Sequence, residues 1–178
     1  MNGLEIINCI EQIPCLKYSF IGVYNNKNIP VSLKYMRNGF FIVNTIYNVN
    51  KMGHWIMYYI KDFNIYFFDS YGSHPTEYGM CIEEFYNSYP YNKIIVFDRE
   101  IQDDSSYVCG VYAIYFAYSM CNNKSINMIK KKFGKNRNKN DLFVTGFLYK
   151  LLGLSISCNK NYCPSIMHSH KCKKFCLC

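Results

Sequence analysis

The sequence predicts one domain in which strands and helices are mixed, on three observations. Four short runs rich in Ile, Val, Tyr and Phe lie in the first hundred residues. Stretches of helical periodicity lie at the N-terminus and from Cys109 onward. A chain of 178 residues, half of them hydrophobic, can bury one core of ordinary size.

In chain order, Leu4, Ile6, Ile7, Ile10 and Ile13 recur at near-helical spacing, and Pro14 ends the pattern, which predicts a short N-terminal helix. Phe40 to Thr45, Trp55 to Ile60, Ile65 to Phe68 and Lys93 to Phe97 are bounded by Asn, Gly, Asp and Lys and read as strands, the middle two joined as a hairpin around 61–64. Thr76 or a neighbour caps a helix running to Tyr86, before Pro90. Cys109 opens a longer apolar helix to about Met120, which puts the cysteine at a helix N-terminus. Helices over Ser125 to Phe133 and Asp141 to Leu152 follow, the second capped by Asn140 and closed by Gly153, with a basic loop from Gly134 to Lys139 between them. Residues 154–178 lose this periodicity, so the chain divides into a folded domain, 1–153, and a basic Cys/His-rich tail.

The first twenty residues contain Glu5 and Glu11 and lack a basic start followed by an apolar run. The longest apolar run, Val111 to Cys121, is too short and tyrosine-rich for a bilayer span. A soluble, non-secreted protein with no membrane partner is expected, its ten cysteines reduced rather than paired. The net charge of +8 is unevenly spread: residues 1–123 hold 8 basic against 11 acidic side chains, and residues 124–178 hold 12 against 1. The basic surface is C-terminal. Lysine supplies 17 of the 20 basic residues, and Asn, Ile, Tyr and Phe are abundant, which is what an AT-rich coding sequence of a virus or mobile element produces.

Four side chains form a chemical constellation in the order His54, Asp69, Gln102, Cys109. A thiol is mostly protonated at neutral pH, and a helix N-terminus together with a histidine lowers its pKa and accepts its proton. Cys109 has the first by position, and Gly110 beside it leaves room for a substrate backbone. His54, at the start of a strand next to Gly53, is the only one of four histidines within core-type sequence and is the candidate base. Asp69, ending the next strand of the hairpin, can orient the ring; Asp62, at the turn, is the second candidate. Gln102 and the Cys109 amide are the candidate donors to a carbonyl oxyanion, where one such donor is worth roughly 2.7–4 kcal/mol. Each residue alone has a bland structural explanation; their joint order and spacing favours thiol-protease chemistry.

The segments Phe20-Ile-Gly-Val-Tyr, Ile42-Val-Asn-Thr45, Gly53-His-Trp55, Phe68-Asp-Ser-Tyr-Gly72 and Gln102 to Gly110 resemble the adenovirus maturation protease (adenain) family, over the chain up to about residue 153. Similar enzymes occur in Polinton-type elements and adintoviruses, and the His, acid, Gln, Cys order also marks the wider clan of SUMO-deconjugating proteases. The resemblance implies an α+β fold, a central mixed β-sheet flanked by helices, with the nucleophile at the N-terminus of a buried helix. It also implies His54 as base, Asp69 in the place of the usual Glu, Gln102 in the oxyanion hole and Cys109 as nucleophile. It further implies cleavage of capsid and core precursors at glycine-containing sites, and activation by DNA and a short basic cysteine-containing peptide. The cysteine that takes that peptide should fall near Tyr89 to Lys93, where this chain has none, so disulfide activation of that form is not expected.

Lys130, Lys131, Lys132, Lys135, Arg137 and Lys139 form a cationic run able to neutralise phosphates, a candidate for salt-sensitive, non-specific DNA binding. The tail offers Cys158, Cys163, His168, His170, Cys172, Cys176 and Cys178, without the paired Cys-x2-Cys spacing of zinc knuckles, so no metal or small-molecule cofactor is expected. Lys173-Lys174-Phe175-Cys176 offers a built-in counterpart of the activating peptide. The leading expectation is a monomeric viral or virus-like cysteine endopeptidase maturing structural precursors, in the virion and host nucleus or a cytoplasmic assembly site. The alternatives are a ubiquitin- or SUMO-type deconjugating protease and an inactive relative that binds nucleic acid or capsid protein.

Overall fold

A computed structural model of the chain describes residues 1–46, 53–90 and 92–154, apart from the side chain of Met80. The tail, with its thiols and its built-in peptide, lies outside the described residues. Five strands, β1 (Phe20–Asn25), β2 (Asn38–Asn44), β3 (Trp55–Lys61), β4 (Asn64–Phe68) and β5 (Lys93–Val96), form one sheet in that spatial order. The outer pairs, β1–β2 and β4–β5, are parallel, and the inner pairs antiparallel, so the sheet is mixed. Helices α1 (Gly3–Glu11), α2 (Pro14–Lys17), α3 (Met80–Ser88), α4 (Cys109–Cys121), α5 (Ile126–Lys130) and α6 (Arg137–Leu151) complete the α+β fold that the sequence predicts.

The central strands are apolar on both faces because both are covered. Phe40 and Ile42 of β2, Trp55, Met57 and Tyr59 of β3 and Phe68 of β4 face a core shared with α1, α2, α4 and α6. Phe41 and Val43, Ile56, Tyr58 and Ile60, and Ile65 and Phe67 face a second core closed by α3 and the 3₁₀ turn at Val31–Tyr35. Such strands read as continuous hydrophobic runs without polar alternation. The hairpin between β3 and β4 turns through Asp62 (φ 49°) and Phe63 (φ 60°), a two-residue loop whose positive φ values match the strand twist. Helix α4 is buried from Cys109 to Ala117, as an all-round hydrophobic helix must be.

Four local features add to or correct what the sequence predicts. Phe20–Asn25 is an edge strand, half-buried along most of its length, and Gly22 interrupts its run of strand formers. The N-terminal helix stops at Glu11, before Pro14 as expected, and Pro14 itself opens α2, at the position where a missing N–H is tolerated. The helix expected from Thr76 is broken by Gly79 (φ 56°) into a 3₁₀ turn, Pro75–Tyr78, capped by His74, and α3. The cap of α6 is Asn136, whose side chain accepts from the Lys139 N–H, so Arg137 and Lys139 belong to the first helical turn. Asn140 instead bonds the carbonyls of Ile101 and Gly134 and the Gly134 N–H.

Candidate active site

The hairpin brings His54 and Asp69 together. Its register sets Met57 opposite Phe68, and continued beyond the strands it carries His54 to the segment Asp69–Tyr71. His54 is fixed by its backbone: its carbonyl accepts from the Thr45 N–H at 2.9 Å, and its N–H donates to Thr45 Oγ1 at 3.3 Å. Gly53 lets this approach occur, since a Cβ there would lie 1.9 Å from Asn44 Oδ1. His54 Nε2 stands 2.5 Å from Asp69 Oδ1. Asp62, paired with Arg37, lies at the turn, at the other end of the hairpin.

Asp69 is fully buried and well satisfied. Besides His54 it accepts the N–H groups of Tyr71 (2.9 Å) and Ser73 (3.1 Å) and the hydroxyl of Tyr78 (2.5 Å). Burial pushes its pKa up, but the bond and charge of His54 and these donors win, and the carboxyl is held below its ordinary range. The turn that presents it closes with the Gly72 N–H on the Asp69 carbonyl, at φ 76°, and a Cβ on Gly72 would sit 2.7 Å from the backbone of Arg99. Only glycine fits there.

Cys109 is the first residue of α4 and only 7% exposed. Burial alone would raise its pKa. The hydrogen bond and positive charge of His54, and the Trp55 N–H, lower it below the ordinary thiol value. Cys9 and Cys121 are pushed the other way by burial, each to about 11. Burial also disfavours a charged His54, yet Asp69 and Cys109 outweigh it and raise the imidazole to about 9. With Nε2 held by Asp69, Nδ1 is the nitrogen left for the thiol. The ring packs near Tyr71 (centroids 4.6 Å apart) and Tyr78 (6.4 Å). This arrangement can hold a thiolate beside an imidazolium at neutral pH.

Gln102 is placed behind the site, and it is fully buried. Its Oε1 accepts from Ser70 Oγ at 2.7 Å; its Nε2 donates to Ser106 O at 2.9 Å and to the Tyr71 hydroxyl at 3.1 Å. The loop bearing it is tied to the acid's neighbour through the Ile101 and Gln102 N–H groups, both on Ser70 O. From the other side Asn140 donates to the Ile101 carbonyl, and the Tyr112 hydroxyl lies between that carbonyl (3.0 Å) and Asp141 Oδ1 (2.8 Å).

Gly110 does not open space for a substrate, which is a correction. A Cβ there would meet Ile6 Cδ1 at 3.2 Å and Met1 Cβ at 3.3 Å, so the glycine admits α1 and the residues before it against α4. Met1 is held there by the Trp55 indole N–H on its carbonyl, at 2.9 Å. A cavity of about 300 Å³ reaches Cys109, with Gly3, Asn44, Gly53, Trp55 and Tyr107 among its walls.

Sequence reasoning missed Ser70, Tyr71 and Tyr78. The first two stand inside the Asp-Ser-Tyr-Gly segment, but the side-chain direction that matters is set by the turn. Of the cationic run, Lys130 pairs with Asp98, and Arg137 with Glu100 and Asp104, whereas Lys131, Lys132, Lys135 and Lys139 are exposed and, among the described residues, without an ion pair. Among the described residues there is no cluster of three or more His, Cys, Asp or Glu able to hold a metal, and no helix is long and apolar enough to cross a membrane.

No protein-family model matches the sequence, and no curated protein matches it. Solved structures do. The ASFV pS273R protease superposes with a TM-score of 0.57 at 11% identity, covering 88% of this chain and 67% of that one. Its selenomethionine form gives 0.51 at 15% identity, over 88% and 68%. ChlaDub1 from Chlamydia trachomatis gives 0.41 at 13% identity, over 83% and 77%. At these identities the property shared with the ASFV pS273R protease is the fold.

Proposed function

We propose that this chain is a cysteine endopeptidase. The observation that carries the reading is the convergence of Cys109, His54 and Asp69 from three separate segments, with thiol and imidazole pKa values moved in opposite directions. The Cys109 sulfur attacks the scissile carbonyl carbon, and the carbonyl π electrons move onto oxygen. Collapse of that adduct expels the amine, which takes the proton held by His54. Water, deprotonated by His54, then hydrolyses the thioester and returns the thiolate. The N–H of Cys109, one of the helix-start donors that lack an intrahelical acceptor, can meet the oxyanion.

The finer reading is a viral or virus-like enzyme cleaving capsid or core precursors at glycine-containing sites, in the virion or at the nuclear or cytoplasmic assembly site. The walls of the cavity at Cys109, with Gly3 and Gly53 beside the flat Trp55 indole, support a substrate with little side chain near the bond. The likeness to a viral protease fold supports it too. In this reading DNA is a non-specific cofactor held by the exposed lysines, and the enzyme acts as a monomer. The test offers purified chain, with and without DNA, a Gly-Gly fluorogenic peptide, intact ubiquitin-like conjugates and a thiol-reactive probe. Peptide cleavage that DNA stimulates is expected, and Cys109→Ala abolishes it while leaving the melting curve in place. Preferential cleavage of conjugates would replace maturation with deconjugation, and failure of the probe to label Cys109 would end the enzymatic reading.

A further inference from the structure

The Gln102 amide has two N–H groups, and both are already used, on Ser106 O and on the Tyr71 oxygen. Its carbonyl oxygen is also engaged, by Ser70, and the residue is fully buried. Gln102 therefore has no donor left to offer a substrate. Tyr71 is in the reverse condition. Its oxygen accepts from Gln102, and among the described residues its own hydroxyl proton has no acceptor. Its ring is held against His54 at 4.6 Å, and its backbone N–H is fixed on Asp69.

Resting on the cysteine-protease reading, we propose that the Tyr71 hydroxyl is the side-chain donor to the oxyanion, with Gln102 a positioning residue that holds and polarises it from behind. A hydrogen bond received at the phenol oxygen strengthens the bond that the same hydroxyl donates, and the chain Gln102 to Tyr71 to oxyanion is polarised in one direction. Burial and then the negative charge of the Cys109 thiolate push the Tyr71 phenol up to about 12, so the group keeps its proton at working pH and the thiolate is within its electrostatic reach. No proton leaves Tyr71 in the cycle: the oxyanion receives a hydrogen bond while the new carbon–sulfur bond forms, and gives it up when the carbonyl is restored.

Tyr71→Phe keeps the ring over His54 and removes only the hydroxyl. On the Gly-Gly fluorogenic peptide its kcat falls about 10²- to 10³-fold, the loss that follows removal of one oxyanion donor, with KM little changed. Alkylation of Cys109 by iodoacetamide, which forms no oxyanion, keeps the wild-type rate. In a double-mutant cycle Gln102→Ala costs activity in the wild-type background and almost none in Tyr71→Phe, because the glutamine acts through the phenol. Unchanged or increased kcat in Tyr71→Phe overturns the proposal, as do additive losses in the cycle or alkylation that slows in step with kcat. A wild-type chain that neither cleaves nor is alkylated at Cys109 overturns the protease reading itself, which keeps the two failures apart.

Discussion

His54 Nε2 and Asp69 Oδ1 stand 2.5 Å apart across fifteen residues of chain because the β3–β4 hairpin returns the second strand to the start of the first. The buried carboxylate cannot leave its place without abandoning two backbone N–H groups and the Tyr78 hydroxyl. The imidazole is thus fixed in one tautomer by an acceptor that is itself fixed.

Asp69→Asn keeps the shape and removes the charge. It can present its amide N–H to Nε2 and turn the proton to the wrong nitrogen. We expect kcat/KM to fall on the order of 10²- to 10⁴-fold with the fold retained, read from peptide hydrolysis and circular dichroism. Activity within about threefold of wild type would show that the carboxylate is dispensable.

The pH profile follows from the opposed shifts of the pair. His54 loses its proton near pH 9, and Cys109 is ionised below its ordinary value. With the imidazole protonated up to about pH 9, kcat/KM has its basic limb near pH 9. For stability the two signs cancel. The raised His54 pKa stabilises below the unfolded imidazole value of 6.5 and that gain is lost as pH rises through about 9. The lowered Cys109 pKa stabilises above the unfolded thiol value of 9.0 and that gain is lost as pH falls through the native value. Between the two unfolded values, where the native thiol is already ionised, each state holds one proton on the pair, so urea midpoints at about pH 7 and about pH 8 should coincide if thiolate and imidazolium rest together. A marked slope there would mean that the resting pair is neutral in one partner.

Gly72→Ala puts a Cβ 2.7 Å from the Arg99 carbonyl carbon and 2.8 Å from the Glu100 nitrogen, at a φ of 76° that side chains rarely adopt. Neither neighbour is a flexible side-chain tip. The expected loss of stability is about 2–4 kcal/mol by urea unfolding, with activity reduced beyond the unfolded fraction because the Asp69 turn shifts. A change under about 0.5 kcal/mol would contradict the packing described.

For DNA the exposed lysines should matter more than the paired cations. Changing Lys131, Lys132, Lys135 and Lys139 to Gln should lower the slope of log affinity against log salt by about 0.9 for each phosphate that is no longer neutralised, measured by anisotropy on a short duplex. Lys130 and Arg137, held by Asp98, Glu100 and Asp104, should contribute less. An affinity indifferent to salt would remove DNA from the account.

Much of this was legible in the sequence, for reasons that differ by residue. Four of the five strands and the long helices announce themselves because apolar runs and periodicity depend on neighbours in the chain. The grouping of His54 with Asp69 is readable because they share one hairpin, and the place of Cys109 because it opens its helix. What escaped depends on contacts between distant segments. Gly110 looks like a gap left for substrate until Met1 and Ile6 are seen filling it. Nothing in the sequence near Gln102 shows that its amide protons go to Ser106 and Tyr71. Asn140 looks like the cap of the last helix until the Ile101 and Gly134 carbonyls are seen to recruit it for other work.

The two-residue turn at Asp62 and Phe63 governs chemistry it never touches. With both sides of β3 and β4 coated in hydrophobic groups, a one-residue slip would exchange one oily surface for another and meet little resistance from solvent. The tight loop is then the ruler that measures where histidine and aspartate end up. A single inserted glycine there, roughly 20 Å from the thiol at about 3.3 Å per strand residue, would leave a folded protein whose imidazole faces the wrong neighbour.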